Sequence, residues 1–146
     1  MVGVLMVNVL YTAHGSATGG RDGHGATDDK KVDVRLSVPK EMGGDGGAGT
    51  NPEQLFATGY SACYLGAIRF VAGQEKVKIA DNARVSASVG VGPRDDGKGF
   101  GISVALQVSL PGIDKAKAED LVAKAHIVCP YSHATKGNIA ISTVIV

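Results

Sequence analysis

The sequence predicts an α+β fold: antiparallel sheets packed around a long buried central helix, with an amphipathic helix alongside, as one domain over residues 1–146. Three observations carry this. Apolar and polar residues alternate in several segments, two of which flank a glycine-rich loop. One long segment is apolar around nearly its whole circumference, and a shorter one is apolar on a single stripe. A length of 146 residues, 44% hydrophobic and 20% charged, suits one ordinary globular core. A net charge of +1, 5% aromatic residues and no Trp give no field or stacking surface for nucleic acid or an anionic membrane.

Taken in order, Met1 to Tyr11 is apolar without a basic leader, and Val4, Val7 and Val9 suit a strand better than a signal peptide. Val32 to Val38 alternates strictly. Gly43 to Gly49 reads as a flexible connector. The long helix is expected from Thr50 to about Gly73, with Thr50 and Glu53 fitting a capping box and Pro52 suiting the first turn. Gly59, Ala62, Gly66 and Ala67 form a small-residue stripe that lets another backbone come close. Val85 to Val91 and Phe100 to Leu110 alternate again, with Gly92 to Gly99 as their hairpin loop. Asp114 to Val128 is the amphipathic helix, with Ala118, Leu121, Val122 and Ala125 on its stripe. Asn138 to Val146 reads as a closing strand.

A helix of about 22 residues is roughly 33 Å long. One small domain does not cover such a helix on every side, so a second copy of the chain is expected as its cover, in an intertwined homodimer. Arg69 interrupts the longest apolar run, so no membrane span is expected, and the protein reads as cytoplasmic. In a reducing compartment two cysteines point to catalysis or metal binding before a structural disulfide.

Four features hold candidate chemistry. The string Gly44-Asp45-Gly46-Gly47-Ala48-Gly49 contains G-x-G-x-x-G, but the helix begins after the glycines and no parallel crossover is expected around it, so nucleotide binding is not inferred. His126, Cys129 and His133 fall within eight residues, and with Cys63 they offer four zinc ligands. Cys63 by itself is as well described as a small core residue, and Cys129 as an incidental residue before a proline turn. Their settings differ, however: one lies in a rigid helix, the other at a helix end before a turn able to move. Finally, Gly19-Gly20-Arg21-Asp22-Gly23 holds a cation in a tight turn, either merely solvated or presented to an anion such as a thiolate.

Together these blocks resemble a known family. Gly19 to Gly23, Thr50-Asn51-Pro52-Glu53-Gln54-Leu55-Phe56-Ala57, Gly59-Tyr60-Ser61-Ala62-Cys63 and Ala125-His126-Ile127-Val128-Cys129-Pro130-Tyr131-Ser132 are similar to the organic hydroperoxide resistance branch of the Ohr/OsmC family. The chain departs from the family pattern after Ser132, where His133-Ala134-Thr135-Lys136-Gly137-Asn138 follows, and at His14-Gly15 and His24-Gly25.

The resemblance implies a homodimeric peroxidase for organic and fatty-acid hydroperoxides. Cys63 is the implied peroxidatic thiol, Cys129 the resolving one, and Arg21 with Glu53 the polar pair beside Cys63. Electrons are expected from a dihydrolipoyl group on a lipoylated protein or from dihydrolipoamide, with no bound cofactor or metal. The alternatives are an OsmC-like peroxidase using another reductant, or a metal-binding protein using His126, Cys129 and His133. Glu53 and Cys63 are ten residues apart, roughly 15 Å along one helix, beyond the reach of a Glu side chain. Each site is therefore expected to be shared, with Arg21 and Glu53 coming largely from the partner.

Overall fold

The computed structural model describes residues 3–146, so Met1 and Val2 of the expected N-terminal strand lie outside the described residues. The chain divides into two compact units, Met1–Asn51 and Pro52–Val146.

The first unit holds an antiparallel sheet in the order β1-β2-β3, formed by β1 (Gly15–Thr18), β2 (His24–Thr27) and β3 (Asp33–Arg35). Thr18 faces His24 across the first hairpin. The turn between them places Gly19 and Gly20 at φ 73° and 60°, a left-handed conformation that glycine adopts without steric cost. Alternation predicted a longer third strand; only three residues pair with β2, and the chain continues through a parallel bridge between Leu36 and Thr50. That bridge engages the Thr50 backbone, whose N–H donates to the Arg35 carbonyl at 2.9 Å. The following helix accordingly begins at Pro52, later than expected.

Two further expectations are corrected in this unit. Val4, Val7 and Val9 are exposed and belong to no strand, because no segment of this chain pairs with them among the described residues. The glycine segment is a hydrogen-bonded loop rather than a flexible connector. Gly46 N–H donates to the Val38 carbonyl at 3.1 Å and Gly49 N–H to the Ser37 hydroxyl at 2.9 Å.

The second unit is built on α1 (Pro52–Gln74), β4 (Arg84–Pro93), β5 (Phe100–Ser109), α2 (Lys115–Val128), α3 (Pro130–Thr135) and β6 (Ile141–Ile145). Its sheet has the order β4-β5-β6. The hairpin keeps its register from Arg84 opposite Ser109 to Pro93 opposite Phe100, and Arg94 N–H closes the loop on the Gly99 carbonyl at 2.8 Å. β6 lies parallel to β5, with Val104 beside Ile141 and Val108 beside Ile145. This sheet is therefore mixed, and α2 and α3 form the parallel crossover that alternation alone did not reveal.

Period two in β5 buries Val104, Leu106 and Val108, which meet Tyr60, Tyr64, Ile68 and Val71 of α1 in one core. The stripe of α2 expected from sequence, Ala118, Leu121, Val122 and Ala125, joins the same core. Asp114 caps this helix by accepting from Lys117 N–H at 2.8 Å. On the outside, Glu75 accepts from Lys124 at 3.1 Å and also from Lys117, tying the chain just past α1 to α2.

α1 is not covered on all sides by the described residues: Leu55 and Phe70 are exposed at 41% and 56%, leaving an apolar face beside the buried one. It is long and apolar enough to cross a membrane, but its other face is core.

Leu121 tests this packing directly, since it is fully buried where α2 enters the core. Leu121→Ala is expected to lower unfolding stability by about 2–5 kcal/mol, from lost transfer energy and the cavity left behind. Denaturant titration with an unchanged slope and a lower midpoint would record it.

Candidate thiol site

Cys63 sits in the middle turns of α1, and its Sγ lies 3.6 Å from Sγ of Cys129, at the close of α2. Both are free thiols. Residues far apart in sequence meet here because α2 packs along α1, and Tyr64 of α1 donates a hydrogen bond to the Val122 carbonyl of α2 at 2.8 Å. Cys63 is half-buried, whereas Cys129 is wholly buried. Cys129 is also the one extended residue between two helices: its φ of −67° and ψ of 123° end α2, and Pro130 opens α3. The movable turn expected after Cys129 is thus a short helix, for which proline at the first position is well suited.

Burial pushes the Cys63 thiol above its ordinary pKa, and neighbouring Cys129 raises it further, because two thiolates so close would repel. The Tyr131 backbone N–H pulls the other way by favouring the thiolate. The thiol thus needs additional positive charge to ionise near neutral pH.

Aromatic rings wall the site. Phe56 stacks on Tyr131 with centroids 5.6 Å apart, and Tyr60 meets both edge-on at 5.8 Å. Gly59 makes room for this arrangement: a Cβ there would lie 3.3 Å from the Tyr131 hydroxyl. The small residue expected to admit another backbone instead admits an aromatic side chain. Gly66, on the same expected stripe, has nothing within 4 Å of such a Cβ.

Beneath the cysteines lies a polar chain not anticipated from sequence. The Tyr60 hydroxyl is 2.7 Å from the Ser132 hydroxyl, which is 2.9 Å from His126 Nδ1; His126 Nε2 is 2.8 Å from the Thr143 hydroxyl. Tyr64 lies against the imidazole with ring centroids 4.6 Å apart. Burial lowers the His126 pKa and pushes the Tyr64 hydroxyl well above the ordinary phenol range. Both His126 nitrogens are thus engaged by hydroxyls, and no group of His, Cys, Asp or Glu among the described residues is arranged to hold a metal. Of the other residues singled out in the sequence, Arg21 stands in the turn between β1 and β2, Glu53 in the first turn of α1, and His133 is exposed on α3.

Residues 43–144 match the OsmC-like protein family. The chain is 54% identical over 134 residues to an organic hydroperoxide resistance protein of Xanthomonas axonopodis pv. citri, covering 92% of this chain and 93% of that one. Among solved structures, an organic hydroperoxide resistance protein from Legionella pneumophila superposes with a TM-score of 0.88 at 43% identity, covering 94% of this chain and 98% of that one. OhrB of Bacillus subtilis does so with 0.87 at 39%, covering 94% and 100%. The chain belongs to the OsmC-like family. Within it, the chain falls in the organic hydroperoxide resistance branch, which indicates a peroxidase-type oxidoreductase.

The depressed His126 pKa sets the sign of one pH effect. A histidine held neutral by burial contributes stability above its ordinary pKa near 6.5 and loses it as pH falls through the lower folded value. The thermal midpoint is expected to fall between pH 7.5 and 5.5 and to fall less in His126→Gln. The other three histidines are exposed, so an equal slope in both proteins would refute the assignment.

Proposed function

We propose that the chain reduces organic and fatty-acid hydroperoxides to alcohols through its two thiols, with a dihydrolipoyl dithiol as electron donor, in the cytoplasm and as a homodimer. The observation that carries this reading is the pair of free thiols 3.6 Å apart, one half-buried and one buried, in a chain of this family. Cys63, the more accessible, attacks as thiolate on the terminal peroxide oxygen. The O–O bond breaks, the alkoxide leaves and takes a proton, and Cys63 becomes a sulfenic acid. Cys129 then attacks that sulfur, water leaves, and a disulfide forms. Two exchange steps with the dihydrolipoyl group return both thiols and leave its own disulfide.

Ionisation of a thiol pushed up by burial requires a permanent cation, and Arg21 is assigned that role because its guanidinium does not give up its proton at working pH. Glu53 orients the guanidinium by a bidentate pair. The roughly 15 Å that ten helical residues span between Glu53 and Cys63 supports a site shared between subunits, with Arg21 and Glu53 from the partner. The exposed Leu55 and Phe70 on α1 suit the same association.

Peroxide-dependent oxidation of dihydrolipoamide tests the activity. The aromatic and apolar residues about Cys63 favour alkyl chains, at about 0.8 kcal/mol per buried methylene, so a long-chain hydroperoxide is expected to exceed hydrogen peroxide in kcat/KM. Equal efficiency for the two would sink the substrate assignment. Cys63→Ser is expected to abolish turnover, whereas Cys129→Ser reacts once and stops at an oxidised Cys63, read by intact-mass spectrometry.

Subunit mixing tests the shared site. Cys63→Ser and Arg21→Ala subunits, each inactive alone, are expected to regain up to one working site per heterodimer. Confirmed exchange without recovered activity would instead give each subunit its own complete set.

A further inference from the structure

Cys129 stands at a bend, and one side-chain contact spans that bend. His126 lies three residues before it on α2 and Ser132 three residues after it on α3, and Nδ1 of the one meets the hydroxyl of the other at 2.9 Å. Both ends of this staple are anchored: Ser132 to Tyr60 of α1 at 2.7 Å, and His126 to Thr143 of β6 at 2.8 Å. Tyr60 is wholly buried and Ser132 is 4% exposed, so these hydroxyls exchange with little water. A polar chain in such a place adds little stability over apolar packing but fixes geometry closely.

The bend also sets the reach of the resolving thiol. A disulfide requires sulfurs about 2.05 Å apart, so the two must approach by roughly 1.5 Å from their present separation. Cys63 is held in the middle of a long helix. Cys129 is the extended residue at a junction, where a change in the angle between α2 and α3 moves its side chain.

We propose that His126 is a positioning residue for the resolving step: by stapling α3 to α2 through Ser132, it holds Cys129 at the angle from which it closes on oxidised Cys63. The proposal rests on the two-cysteine reading above. It assigns His126 no part in the attack on peroxide, and it gives its two nitrogens unequal weight. Nδ1 spans the bend, while Nε2 anchors the ring to β6.

Asparagine and glutamine separate those two nitrogens, since an Asn amide falls near the Nδ1 position and a Gln amide nearer Nε2. Two rates are read by rapid-quench mass spectrometry after stoichiometric cumene hydroperoxide: appearance of oxidised Cys63, and closure of the Cys63–Cys129 disulfide. His126→Gln and Ser132→Ala are expected to slow closure by about tenfold, the loss of one buried hydrogen bond, while leaving the first oxidation within about twofold. His126→Asn is expected to recover most of the closure rate. Ser132→Ala carries the test if His126→Gln does not fold. Equal closure rates in the Asn and Gln proteins, or a parallel fall in both steps, would overturn the staple. A wild-type protein that oxidises Cys63 without ever forming the disulfide would overturn the two-cysteine reading itself.

Discussion

The thiol site depends on one packing event, the seating of α2 along α1. Leu121, Val122 and Ala125 enter the core beside Tyr60, Tyr64 and Ile68, and the Tyr64 hydroxyl reaches the Val122 carbonyl across the helix pair. That seating carries Cys129 to Cys63. It also brings His126 against the Tyr64 ring and so starts the polar chain through Ser132. Apolar burial supplies the energy, at about 25 cal/mol per Å² removed from water, and hydrogen bonds select the arrangement.

Two opposed demands meet at Cys63. In the proposed role of attacking thiol, Cys63 gains from apolar surface that favours organic substrates, yet the same burial discourages the thiolate. The Tyr131 backbone N–H offsets part of that penalty, and it is available because Pro130 starts α3 where it does. Proline contributes twice here, by favouring the helix start and by carrying no N–H of its own that would need a partner.

Much of this was legible in the sequence. Alternation located β4 and β5, the stripe located α2, and the two cysteines were marked by their unlike settings. The parallel placement of β6 was not legible, because a strand's period of two reveals which face is buried but not the direction of its neighbour. Nor were β1 and β2, which are short, exposed and rich in glycine. The polar chain escaped for another reason. Tyr60, His126, Ser132 and Thr143 belong to four different elements, and no local pattern joins hydroxyls that meet only after the crossover is folded.

The parallel strand also bears on how the molecule is made. Thr143 follows both cysteines in the order of synthesis, and β6 can pair with β5 only after the crossover that precedes it has been laid down. Non-local pairing of that kind is slow to form compared with a hairpin. While the chain is still emerging, then, the thiols can exist without the frame that aligns them. The ring of His126 acquires its second partner last. The assembled site is in this sense a late product of folding, and a nascent chain that has made both of its cysteines has not yet set them in their final frame.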